Sequence, residues 1–361
     1  MPRAIAAFFC YDNNMKKYFY LILIFAFLEL PFLCSASTPL SGVTPSGEKI
    51  FYMSNLKEKE GIISLQNNAD KIDIIAPQFY AVSAKLKLTG GLDANLKKTI
   101  QQAQGKNNKL KVMPLVANAG FKQSVIHNLL VSPKAQTAVI QSMIDVAKKE
   151  KYIGWQFDFE NISYKDKDLY SAFVEKTAKS MKKNGLTFSV AVVTRSVDYE
   201  NTDAFKNWGG VFDYARIAKA VDFVSFMTYD DPNSVGPVAS IPFINSVLAY
   251  VKGKIPPEKL SLGIPVYYWG WTKEPLKKVN ASGSYSRLLA LMANNQYTSG
   301  FDSALSAPWI SYSYGNNQFQ IWYQNQQSFN DRLDIIKQNN FRGFSAWVLG
   351  VEDPGIWDLL K

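Results

Sequence analysis

Short apolar runs alternate along the chain with longer stretches in which apolar residues recur at helical spacing. The runs lie near Ile50 to Ser54, Ile72 to Pro77, Leu110 to Val116, Ile153 to Glu160, Thr187 to Thr194, Asp222 to Tyr229, Leu260 to Tyr267 and Gly343 to Val348. Strands of this kind, separated by helical patterns, belong to parallel sheets whose faces are covered by helices. Ser132-Pro133 is an N-cap followed by proline at the first helical position, and Ala135, Val139, Met143 and Val146 then share one helix face. Tyr170, Phe173, Val174 and Met181 form a similar stripe after the fourth run. Eight such strands in a chain of this length predict an α/β fold, the (β/α)8 or TIM barrel. Between the seventh and eighth strands the gap from Trp269 to Asn340 is rich in Tyr, Trp, Asn, Gln and Ser, with a short helix near Tyr285 to Asn294. It is too long for an ordinary loop and predicts an insertion over about 269–325.

The fourth run holds the most informative chemistry. In Tyr152-Ile153-Gly154-Trp155-Gln156-Phe157-Asp158-Phe159-Glu160-Asn161, alternation puts Gln156, Asp158 and Glu160 on one face and Trp155, Phe157 and Phe159 on the other. The aromatic face packs under helices. Ionisable groups on the inner face are costly to bury unless hydrogen-bonded or functional, which marks a candidate site.

Composition narrows the chemistry. The chain contains one histidine, His127, and two cysteines, Cys10 and Cys34. A single histidine excludes multi-histidine zinc chemistry, and His127, in the polar stretch from Gln123 to Asn128, reads as a helix-surface residue. Neither a metal nor a cofactor is expected. Carboxylates are then the acid-base groups available in quantity, which favours glycoside over ester or peptide hydrolysis. Residues 1–36 read as a signal peptide: Met15 is an alternative start, Lys16 and Lys17 the basic segment, Tyr18 to Leu33 the apolar core and Cys34-Ser35-Ala36 the cleavage site. This predicts an exported protein, secreted, periplasmic or wall-associated, with residues 37–361 forming the mature barrel, no cysteine and no stable membrane insertion. Both cysteines fall within the leader.

The net charge of +10 drops only to +9 without the leader, which removes Arg3, Lys16 and Lys17 but also Asp12 and Glu29. Such a surface attracts polyanions. The basic residues (Lys85, Lys97, Lys98, Lys148, Lys149, Lys182, Lys183) are scattered along the sequence without a nucleic-acid motif, so an anionic cell-wall polymer is the expected partner and nucleic acid is not. A solvated surface kept soluble by its charge is the plainer alternative. A monomer is expected.

Gly154-x-Gln156-x-Asp158-x-Glu160 resembles the D-G-x-D-x-D-x-E signature of family 18 glycoside hydrolases, the chitinases and their relatives. Phe226-Met227-Thr228-Tyr229-Asp230 resembles that family's M-x-Y-D strand, Leu262-Gly263-Ile264-Pro265-Val266-Tyr267 its seventh strand and Gly343-Phe344-Ser345-Ala346-Trp347 its last. The four motifs follow the family's order, and the resemblance, covering about Lys49 to Lys361, is strongest to the branch of spore-cortex-lytic and peptidoglycan N-acetylglucosaminidases. Ile153 and Gln156 stand where the family carries its first two aspartates. The resemblance implies a small α+β insertion forming one wall of the cleft, and a β-1,4 cleavage after N-acetylglucosamine in which the substrate's acetamido group is the nucleophile. Glu160 would be the proton donor, Asp158 would hold the acetamido N–H, and Tyr229 would bond its oxygen. Asp230 and Trp347 would bind the sugar, and Gln156 would bias the charge on Asp158 from within the substrate-binding set. Asn118 and Tyr267, with Asn161, Trp271 and Trp322, stand open between substrate-binding, cleft-wall and core roles. Peptidoglycan is the expected substrate, chitin the alternative. A non-catalytic sugar-binding protein on the same barrel is the rival from another class, and retention of Glu160 argues against it.

Overall fold

The computed structural model of the protein describes residues 47–273 and 276–360. The expected leader and its expected cleavage site lie outside the described residues. Eight parallel barrel strands form where the apolar runs predict them: Glu48–Ser54, Ile74–Gln78, Leu115–Asn118, Gly154–Asp158, Thr187–Val193, Phe223–Met227, Leu260–Pro265 and Gly343–Trp347. The second and third are each broken once, and their pieces close the ring. Ile74 and Ile75 pair with Lys111 and Val112, while Tyr80 to Val82, beyond the break, pair with Val116 to Asn118. The first strand pairs with the second on one side and the eighth on the other. Among the described residues the barrel strands thus close into a ring.

Helices cover the outside because their apolar stripes match the outward strand positions. On the fourth strand Trp155 and Phe157 are fully buried, and Phe157 stacks on Phe173 of the helix Lys167–Lys183 at 5.2 Å and meets Phe188 of the fifth strand edge-on at 4.7 Å. Trp155 also donates its indole N–H to the Met143 carbonyl, 2.8 Å away, on the helix Pro133–Glu150. That helix starts as its sequence predicts, with the Ser132 hydroxyl accepting from the Ala135 amide at 3.3 Å. Gly154 opens the strand because a Cβ there would lie 1.8 Å from the Thr187 carbonyl oxygen.

Between the seventh and eighth strands a five-stranded antiparallel sheet and the helix Tyr285–Asn294 occupy residues 268–322. The insertion has its own small core of Tyr268, Leu288, Ile310 and Ile321. Trp269, Trp271 and Trp322 belong instead to the barrel's core, and Trp271 donates its indole N–H to the Gly236 carbonyl at 2.8 Å. Trp271 and Trp322 are thus mainly structural.

Lysines scattered in the sequence are gathered in space. Lys148 and Lys149, Lys182 and Lys183, and Lys219 occupy the last turns of three successive helices and are all exposed. Helices of such a barrel run back against the strands, so these turns sit at the barrel's base, opposite the strands' C-terminal mouth. Part of this placement answers the helix dipoles. No helix among the described residues is long and apolar enough to cross a membrane.

Candidate active site

The fourth strand ends at Asp158, two residues sooner than its sequence pattern suggests, so Glu160 lies in the turn beyond it. Asn118, at the end of the third strand, builds that turn. Its side-chain oxygen accepts from the Glu160 amide at 3.0 Å, while its amide donates to the Glu160 carbonyl at 2.9 Å and the Lys122 carbonyl at 3.2 Å. Asn161 then turns the chain at φ 52°, a left-handed conformation that asparagine tolerates better than most residues, and its amide bonds the Phe121 carbonyl at 3.0 Å. Three residues beyond the sixth strand Asp230 adopts φ 55° in the same way. Two of the site's corners are therefore strained backbone, which tends to concentrate where side chains must be aimed.

Asp158 is 3 % exposed, and Gln78, the last residue of the second strand, donates its side-chain amide to Oδ2 at 2.7 Å. Glu160 is partly exposed and hydrogen-bonds the Asp158 carboxyl. Burial raises the Asp158 pKa to about 6 against the lowering effect of those two bonds. Glu160 is held well above the ordinary glutamate range, first by desolvation, then by the charges of Asp158 and Asp230 and its bond to Asp158. The two carboxyls titrate as one pair, in which the Gln78 bond favours the anion on Asp158.

Around the pair stand groups from other strands. Tyr229, half-buried beyond the sixth strand, has its hydroxyl kept protonated by burial and by the acidic groups facing it. Gly263 of the seventh strand makes room for it, since a Cβ there would come within 2.9 Å of the Tyr229 ring and 2.5 Å of the Phe226 carbonyl oxygen. Asp230 is exposed, and Tyr267 donates its hydroxyl to it at 2.6 Å. Trp347, half-buried, ends the eighth strand with its ring 5.4 Å from that of Tyr52. Nearby, Lys278 of the insertion places its ammonium 2.9 Å above the Trp269 ring and within electrostatic range of Asp230. Among the described residues no group of three or more His, Cys, Asp or Glu side chains is placed to hold a metal ion.

Two expected substrate-binding residues need correction. Gln156 is 0 % exposed beneath the carboxyl pair: its carbonyl accepts from the Tyr52 hydroxyl and its amide donates to Ser189 and Ser225, each at 2.8 Å. All three of these bonds lie inside the barrel, so it offers a sugar no surface and Asp158 no hydrogen. Asn118 is 1 % exposed and its amide is committed to the backbone, so it shapes the turn that carries Glu160. Tyr267 faces Asp230 and orients it. His127, half exposed, bonds the buried Asp166 at 2.9 Å, away from the carboxyl pair's contacts.

Residues missing from the expected set are Gln78, Tyr52 and a ring of serines. Ser225 and Ser345 bond at 2.9 Å, and Ser261 and Ser345 at 2.6 Å. The signal was available: Phe188-Ser189-Val190, Val224-Ser225-Phe226, Leu260-Ser261-Leu262 and Phe344-Ser345-Ala346 each set one serine inside an apolar run.

The model of the glycosyl hydrolases family 18 matches residues 41–352. The chain is 26% identical over 272 residues to the uncharacterized glycosylase YvbX of Bacillus subtilis (strain 168), covering 73% of this chain and 78% of that one. It is 27% identical over 267 residues to the cortical fragment-lytic enzyme of Bacillus cereus, covering 71% of this chain but only 60% of the relative's length. Its fold superposes on the crystal structure of a chitinase from Chromobacterium violaceum ATCC 12472 with a TM-score of 0.77, over 87% of this chain and 98% of that one at 21% identity. A family match spanning most of the barrel, over a site built from two coupled carboxyls at the strand ends, identifies the chain as a glycoside hydrolase of family 18.

Proposed function

We propose that the protein is an exported enzyme that cleaves the β-1,4 bond following N-acetylglucosamine in peptidoglycan, with retention of configuration and with the substrate's own acetamido oxygen as nucleophile. The observation that carries this reading is the placement of Asp158 and Glu160 two residues apart at the end of one strand, close enough to titrate together. An ordinary retaining glycosidase places its carboxyls about 5–5.5 Å apart, one on each side of the scissile bond. Carboxyls paired at one strand end stand on one side of it. Glu160, kept protonated, gives its proton to the glycosidic oxygen as the bond to the anomeric carbon breaks. The acetamido oxygen forms the new bond to that carbon, and Asp158 takes up the positive charge developing on the acetamido N–H. Tyr229, whose hydroxyl stays protonated, donates to the acetamido oxygen, and Asp230 and Trp347 hold the sugar. Water then opens the oxazolinium ion from the vacated face, returning its proton to Glu160.

Peptidoglycan is favoured by the cortical fragment-lytic relative, by the exposed lysines at the barrel base and by the signal-like leader. Proton NMR of fresh product from a glycan hydrolysed beside its N-deacetylated counterpart tests the mechanism. The β-anomer should appear first and the deacetylated sugar should be inert. An initial α-anomer, or cleavage after glucosamine, would return the nucleophile to a protein carboxylate.

A further inference from the structure

We propose that Gln78 is a positioning residue for the reaction: its side-chain amide, 2.7 Å from Oδ2 of Asp158, fixes Asp158 as the ionised, acetamido-orienting member of the carboxyl pair and so leaves the proton on Glu160. The inference rests on the roles given to Asp158 and Glu160 above.

An almost fully buried carboxylate is stable only if donors reach it. The residue directly beneath on the strand, Gln156, has two N–H groups and spends them on Ser189 and Ser225, and the Tyr52 hydroxyl is turned to the Gln156 carbonyl. Gln78 and the Glu160 carboxyl are the side chains that bond Asp158. Glu160 offers its hydrogen only while protonated, and loses it each time it acts as acid. Gln78 offers one throughout the cycle, because an amide does not ionise in this pH range. Its place is set by the fold: it closes Ile74–Gln78, where Ser54↔Gln78 is the last register pair with the first strand, and is half-buried at the barrel mouth.

The test is the pH dependence of kcat/KM for hydrolysis of an N-acetylglucosamine oligomer by Gln78→Met, which keeps length and removes the donor. Loss of a bond to a charged group should lower activity about 10-fold or more at the wild-type optimum. Because the lost donor favours the anion, the acid limb, set near pH 6 by Asp158, should move to higher pH. The carboxyl carbon of Asp158, followed by NMR titration without substrate, should shift in the same direction. A limb and a titration superimposable on wild type would overturn the proposal. Should Gln78→Met fail to fold, Gln78→Asn withdraws the amide by one methylene and must shift both readouts the same way. Glu160→Gln run in parallel separates the two ideas: if it stays active, the roles assigned to the pair are wrong, whereas an inactive Glu160→Gln beside an unshifted Gln78→Met removes Gln78 alone.

Discussion

Two layers inside the same barrel, two strand residues apart in depth, behave in opposite ways. The lower layer, Gln156 with Tyr52, Ser189, Ser225, Ser261 and Ser345, is polar and uncharged, and its side chains hydrogen-bond one another across six strands. The upper layer, Asp158 and Glu160 with Gln78, carries two carboxyls whose pKa values are both pushed up by desolvation. A buried polar network that satisfies itself rigidifies a core, while one that leaves like charges together stores free energy. The barrel keeps the first under the second, so that the reactive pair stands on a floor that neither titrates nor moves a proton.

The largest effect should come from the proton itself. Glu160→Gln keeps the shape of the upper layer and removes its acid, and should lower turnover by about 10²–10⁴-fold or more while sparing oligosaccharide binding measured by calorimetry. Near-normal turnover would dissolve the contrast between the layers. Asp158→Asn should cost on the order of 10²-fold and abolish the acid limb near pH 6 in the rate profile, since the group that titrates there is gone. A profile that keeps its acid limb would place that titration elsewhere.

The lower layer should register in stability. Gln156→Leu strips Tyr52, Ser189 and Ser225 of a shared partner in a site closed to water, and should destabilise the fold by about 1–3 kcal/mol in urea unfolding. A neutral result would mean that the serines find other partners.

The smallest effect separates the layers by sign. Asp158 has a folded pKa raised to about 6, above the roughly 3.9 of an unfolded aspartate, so its ionisation penalises the folded state. That penalty is absent below about pH 4, grows as pH rises toward 6 and is full above it. Asp158→Asn should therefore stabilise the protein at neutral pH by on the order of 1 kcal/mol, the gain fading as pH falls toward 4 in a series of thermal melts. A gain independent of pH would show that something other than desolvated charge had changed.

Much of the architecture was legible in one dimension, because strand and helix periodicity are local properties of the chain. The eight apolar runs, the Ser132-Pro133 helix start and the helix Tyr285–Asn294 all appear where hydrophobic spacing and capping chemistry put them. The alternation of Gln156, Asp158 and Glu160 against Trp155, Phe157 and Phe159 likewise separated a reactive face from a packing face. What alternation could not say was how deep each inner residue lies. Gln156 reads as one member of a motif and proves to be floor, and Asn118, open in the sequence between ligand, wall and core, proves to be the brace of a turn. Gln78 stood unnoticed because its partner Asp158 is eighty residues away and meets it only when the ring of strands closes. The same holds for the lysines, dispersed by sequence number but brought to one end by helices that all run back the same way. Local order follows from spacing along the chain. Which groups face one another across the barrel, and therefore which carboxyl holds the proton, depends on closure and register, and those exist only in the folded molecule.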